Sequence, residues 1–129
     1  EPIKHIDFTY PFDDNLRNQF SKTAEMLKFK HHTKAVYACV QGPRLESVAE
    51  INRYDNDGAH IIGMTGMPEA SLAREIGLNY ALICPVANHA AGRGLNKDGI
   101  SHDEINSNSA RMALNIEALL KGIIESYGN

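Results

Sequence analysis

Four side chains stand at or just beyond the ends of short apolar runs, and their types suit a small, mainly apolar ligand with a few polar edges. Glu46 lies in "QGPRLESVAE", just after the run "AVYACV". Met64 and Thr65 close "HIIGMT", and Asn88 comes two residues after "YALICPV". A carboxylate accepts from an N–H donor, and a primary amide both donates and accepts. A thioether packs on an apolar face, and a hydroxyl can meet an anion. Each residue also has an ordinary role: Glu46 as helix-entry charge, Asn88 as a turn residue, Met64 as core, Thr65 as a cap.

Other chemistries find little support. The histidines (His5, His31, His32, His60, His89 and His102) show no HExxH spacing and no CxxC occurs, so no metal site is expected. Neither a G-x-S-x-G elbow nor a P-loop is present, and "GRG" at Gly92 to Gly94 reads as a turn. Cys39 and Cys84 sit inside apolar runs, where free thiols behave as small hydrophobes. Two such residues do not make a disulfide framework, and they point to a reducing, cytosolic setting.

At 129 residues and 14.2 kDa the chain holds at most one domain, and 43% hydrophobic residues are enough for a core. A net charge of −3 and a pI near 6.1 give no reason to expect nucleic acid or an anionic membrane as partner. No apolar run approaches the roughly 18 residues of a membrane span. The opening "EPIKHIDFTYPF" has neither an initiator Met nor a signal-peptide pattern and reads as the interior of a longer protein.

The elements that would position the four residues alternate. Strands are expected at residues 5–8, 35–40, 60–64 and 80–86. A helix begins near Asp13 or Asp14, with Leu16, Phe20, Ala24 and Leu27 on one face. Ser47 and Glu50 form a capping box for a second helix that Gly58 closes. Pro68 opens "PEASLAREIG" and Gly77 ends it. Ser101 and Glu104 make another capping box, before a long helix with Ile105, Met112, Ile116, Leu119, Ile123 and Tyr127 on one face. Such alternation predicts an α/β layer architecture, whose ligands bind at the carboxyl ends of the strands. Glu46, Met64-Thr65 and Asn88 would then open onto one crevice. A 6-oxopurine nucleoside fits this set: its N1–H wants a carboxylate, and its O6 and N7 want an amide N–H. Thr65 would precede a helix whose amino end favours phosphate. Spacing alone does not single out a purine.

"QGPRLESVAEI", "GAHIIGMTGMPEASLAREIGLNYALI" and "VANHAAG" closely resemble the trimeric purine nucleoside phosphorylase and methylthioadenosine phosphorylase family. The likeness runs from about His5 to the end, and the "GMTGMPEASLARE" block is highly specific. It implies the three-layer α/β fold of that family, with a mixed central sheet, residues 1–129 being the C-terminal part of a single domain. The family's first half, with its glycine-rich phosphate loop and its phosphate-holding arginine and histidine, has no counterpart here. By this resemblance Glu46 accepts from purine N1–H, and Asn88 bonds N7 and O6 and stabilises the departing base. Met64 packs on ribose and Thr65 contacts phosphate. Leu45 stands where the family often has a phenylalanine over the base. No cofactor is implied, since phosphate is a co-substrate, and the family assembles as homotrimers.

Adenine-specific members resemble this chain but lack a glutamate at position 46 and carry aspartates where Asn88 and Ala90 stand. The resemblance therefore implies hypoxanthine or guanine as the base. At the 5′ end, His5 resembles the histidine that methylthio-specific members send into a neighbouring subunit. His102 resembles the one that binds a 5′-hydroxyl. "GPRLE" with "VANHAAG" resembles bacterial 5′-methylthioinosine phosphorylases, which favours that substrate over inosine, guanosine or methylthioadenosine. A reading of another class is a purine-binding piece without turnover.

Overall fold

A computed structural model describes residue 3 and residues 5–127. The elements, in chain order, are α1 (Asp14–Met26), β1 (Tyr37–Cys39), α2 (Val48–Asn56), β2 (Ile61–Gly63), α3 (Glu69–Glu75), a 3-10 turn (Gly94–Asn96) and α4 (His102–Tyr127). β1 and β2 pair in parallel, with Tyr37 opposite Ile61 and Cys39 opposite Gly63. Parallel strands require a crossover, and α2 supplies it.

Helix starts follow side-chain chemistry. Asp13 Oδ1 accepts the Leu16 N–H at 2.8 Å and caps α1. The Ser47–Glu50 capping box is complete on α2. At α4 only half of the expected box forms: Ser101 Oγ accepts the Glu104 N–H at 3.3 Å, and the Glu104 carboxylate does not return the bond. Pro68 is the residue before α3 rather than within its first turn. Three helices end alike, with the closing pair of backbone bonds that needs one left-handed residue. Gly58 and Gly77 supply it for α2 and α3, at φ +88° and +73°, and Lys28 does so for α1 at φ 56°.

Two expected strands are not strands. Residues 5–8 and 80–86 carry no ladder among the described residues. A strand exists only where a neighbour accepts and donates in register. The 80–86 run is held instead by Asp13 N–H donating to Tyr80 O at 2.8 Å. Its apolar character still buries surface, because Ile83 packs on the core. The expected mixed sheet is thus represented here by one parallel pair.

The core joins Ala24 of α1 to Leu119 and Ile123 of α4, with Phe20, Phe29 and Ile83 around them. The inward face expected for α4 holds for Ile105, Met112, Ile116, Leu119 and Ile123; the side chain of Tyr127 lies outside the described residues. A folded chain of this mass exposes about 6,800 Å², whereas this one exposes 9702 Å². Leu114, Leu120 and Ile124 of α4 are among the exposed apolar residues. An apolar groove of about 500 Å³ runs between Pro85, Ala87 and α4.

The α1–α4 contact is tight at Gly122, where an added Cβ would lie 2.8 Å from Thr23 Cγ2. Gly122→Val is expected to destabilise the protein by about 1–3 kcal/mol through overpacking. Denaturant unfolding checks this; an unchanged midpoint would show that the helices separate at no cost.

Candidate active site

The chain leaves β1 through Gly42, whose φ of +62° and missing Cβ let the Met64 thioether lie directly against it. The exits of β1 and β2 therefore touch. Beyond Gly42, Arg44 grips Glu50 with two bonds, Nη1–Oε2 at 2.9 Å and Nη2–Oε1 at 2.7 Å. Glu50 Oε2 also accepts from the Ser47 N–H at 2.8 Å and its hydroxyl at 2.9 Å. The Arg44 guanidinium, and then the Ser47 donors, hold the Glu50 carboxyl well below the usual carboxylate range. Glu50 is thus the capping carboxylate.

Glu46 is different. It is half-buried at the same bend and has neither a hydrogen bond nor an ion-pair partner. A carboxylate placed so keeps all its acceptor capacity for a ligand. Leu45 beside it is exposed.

Thr65 follows Met64 and is exposed. Its backbone N–H donates inward to the Tyr37 hydroxyl at 3.2 Å, so only the threonine hydroxyl faces outward chemistry. The Tyr37 ring has room because Gly63 and Gly66 lack a Cβ that would strike it. The anion-favouring helix end expected here is weak. α3 has seven residues, Pro68 offers no N–H, and the first turn holds the Glu69 carboxylate.

Asn88 is half-buried in a recess of about 140 Å³ lined by Val86, Ala87, His89, Glu104 and Asn108. Its Nδ2 donates to His89 O at 2.7 Å. Asn108, one turn beyond Glu104 on α4, donates to Ala87 O at 2.8 Å and holds the backbone just before Asn88. The loop after Asn88 sits on α2. Gly92 abuts Val48, and Arg93 Nη2 bonds Asn52 Oδ1 at 2.9 Å and Asp55 Oδ2 at 3.1 Å. The Glu46 bend and the Asn88 loop therefore share α2 as a common support.

The two histidines divide. His102 is exposed at the start of α4, two residues before Glu104. His5 is exposed on a segment whose Asp7 and Tyr10 carbonyls accept from Arg74, near the carboxyl end of α3. Met64 and Thr65 precede the other end of that helix, and the structure does not bring His5 to them. Arg93, Asn96, Glu104 and Asn108 are site-forming residues that the sequence reading did not assign to the site. The only signal was Glu104 and Asn108 at one-turn spacing, facing the same way. Burial pushes the Cys84 thiol up, so it stays protonated at neutral pH. Among the described residues, no group of three or more His, Cys, Asp or Glu side chains could hold a metal, and no helix is long and apolar enough to cross a membrane.

The pattern of the Phosphorylase superfamily matches residues 1–125. The chain belongs to that superfamily. It is 50% identical over 93 residues to a probable S-methyl-5'-thioinosine phosphorylase of Pseudomonas syringae pv. tomato, covering 72% of this chain and 38% of the relative. It is 41% identical over 123 residues to a probable 6-oxopurine nucleoside phosphorylase of Thermococcus kodakarensis, covering 95% of this chain and 45% of the relative. Methylthioadenosine phosphorylase from an antarctic soil metagenomic library superposes with a TM-score of 0.87 at 28% identity, covering 98% of this chain and 45% of that one. The Schistosoma mansoni methylthioadenosine phosphorylase complex with adenine superposes at 0.87 with 22% identity, over 99% of this chain and 50% of that one, and shares the fold. The chain is an α/β fold of the phosphorylase type, and it spans about half the length or less of these relatives.

Glu50 carries a pH signature. Its folded-state carboxyl is depressed below its ordinary 4.5, so the stability it contributes is present above that value and lost as the pH falls further. Glu50→Gln is expected to be less stable than the unchanged protein at neutral pH, with the difference shrinking on acidification to about pH 3. Thermal unfolding across that range checks it; a pH-independent difference would mean the ionised cap contributes nothing.

Proposed function

We propose that this chain supplies the base and ribose side of a nucleoside phosphorylase that cleaves 6-oxopurine nucleosides, 5′-methylthioinosine foremost. The observation that carries the reading is Glu46. It is a half-buried carboxylate that accepts no hydrogen bond, within reach of the Arg44 charge, at the exit of β1 and on the same support as the Asn88 loop. A purine N1–H supplies the donor it lacks. The names of the relatives from Pseudomonas syringae and Thermococcus kodakarensis support the 6-oxopurine class.

In the proposed reaction a phosphate oxygen bonds to C1′ as the C1′–N9 bond breaks, with inversion. The electron pair leaves with the purine, which takes up a proton. Asn88 stabilises that departing base, Glu46 orients it, Met64 packs on ribose and Thr65 meets phosphate. Catalysis is positioning and electrostatic stabilisation, with no protein nucleophile. Phosphate is co-substrate, and neither a cofactor nor a metal is invoked.

A homotrimer is proposed on the placement of His5. It is exposed on the segment whose Asp7 and Tyr10 carbonyls Arg74 holds, and it suits a neighbouring subunit's 5′ pocket better than its own. His102, near the Asn88 recess, suits the 5′ end within the chain. The cysteines Cys39 and Cys84 are free, which fits a cytosolic setting. One observation favours binding without turnover by these 129 residues alone: the Thr65 N–H is spent on Tyr37, leaving one hydroxyl for phosphate.

In a protein of the relatives' length, Asn88→Ala is expected to lower kcat/KM by about 2–4 kcal/mol of transition-state stabilisation. Steady-state phosphorolysis of methylthioinosine and inosine measures it, and an unchanged kcat/KM removes Asn88 from the chemistry. Glu46→Gln is expected to cost 6-oxopurine nucleosides about 1–3 kcal/mol more than adenosine analogues. Equal losses on both would return Glu46 to a helix-entry role.

A further inference from the structure

We infer that Asn96 is a positioning residue, fixing the Asn88 amide through the backbone carbonyl of His89. The inference rests on the proposed role of Asn88 toward the leaving purine. Asn96 is 1% exposed and is the largest fully buried side chain among the described residues. Burying a primary amide is unfavourable unless its groups are bonded. Its Nδ2 donates to His89 O at 2.6 Å, the same oxygen that accepts from Asn88 Nδ2 at 2.7 Å. Both lone pairs of that carbonyl are therefore engaged.

The backbone of Asn96 closes the loop as well. Gly92 N–H donates to Asn96 O at 3.0 Å, and Asn96 N–H donates to Arg93 O at 2.8 Å. Arg93 then ties the loop to Asn52 and Asp55 of α2. The His89 carbonyl is thus held from the buried side and the Asn88 amide rests on it from the other. One Asn88 N–H is committed to this contact, which sets the amide plane and leaves its second N–H and Oδ1 for a ligand. Among the described residues Asn88 makes no other hydrogen bond, so this contact is what fixes that plane.

Asn96→Asp keeps the shape but replaces a donor with an acceptor facing a carbonyl. In a protein of the relatives' length, this variant is expected to lose roughly tenfold to hundredfold in kcat, with KM for phosphate unchanged. Added to Asn88→Ala it should cost nothing further, because its effect passes through Asn88. Equal fold losses in the two backgrounds overturn the inference, since a purely structural residue would act in both. If the unchanged protein turns over no purine nucleoside, the proposed function fails, and the crystal structure of Asn96→Asp decides the inference by itself. An Asn88 amide released from the His89 carbonyl supports it, and an unmoved amide overturns it. Asn96→Leu, apolar and of similar volume, carries the same readings should Asn96→Asp not fold.

Discussion

Two strands that run in parallel cannot be joined by a tight turn, and the layout of the candidate site follows from that constraint. With α2 as the crossover, β1 and β2 end on the same edge, so Gly42 and Met64 meet there. The register that sets Cys39 opposite Gly63 also lets Tyr37 reach the Thr65 N–H. That reach depends on glycine at positions 63 and 66, where any side chain would strike the ring. The close approach of chain to chain at this edge is therefore a property of the pairing, and the site residues inherit their positions from it.

Around the candidate site the polar residues work in pairs, one spent on holding and one left free. Glu50 is committed to Arg44 and Ser47, while Glu46 four residues earlier accepts no hydrogen bond. Asn96 is buried and committed to His89 O, while Asn88 keeps part of its amide unspent. A free carboxylate or amide is useful only if the backbone under it does not move. The committed neighbour provides that stiffness at short range, with hydrogen bonds to charged groups that are roughly twice as strong as neutral ones in the case of Glu50.

What the sequence discloses follows the range of the interaction. The Asp13 cap, the Ser47–Glu50 box and the glycines at 58 and 77 are local chemistry, legible from a few adjacent residues. Lys28 in a left-handed turn is not legible, because nothing about lysine announces it. The run "YALICPV" looks like a buried strand because apolar composition reports burial, and burial is real at Ile83. A ladder partner, however, lies elsewhere in a chain and leaves no local mark. The same holds at the site. Glu46, Met64, Thr65 and Asn88 are marked by standing where apolar runs stop, whereas Arg93 acts through bonds to distant α2 and Asn96 through a bond inside its own loop, and no apolar run marks either.

Packing and polar bonding are unevenly shared across the molecule, and this bears on how the site keeps its shape. The core cluster lies between α1 and α4, with Ile83 against it. None of Glu46, Met64, Thr65 and Asn88 belongs to it. Leu45 and Val48, beside Glu46, are exposed, and so is Val86 before Asn88. An apolar surface of this extent is where further protein packs, and the chain spans about half the length or less of the relatives it matches. Side-chain packing at the site consists of a few close approaches, such as Met64 on Gly42 and Val48 on Gly92. Three polar knots add to them: Arg44 with Glu50 and Ser47, Arg93 with Asn52 and Asp55, and Asn96 with His89. Because such bonds are directional, they fix orientation in a way that apolar contact does not. That is what the proposed roles of Glu46 and Asn88, a carboxylate and an amide meeting the edge of a flat ring, require.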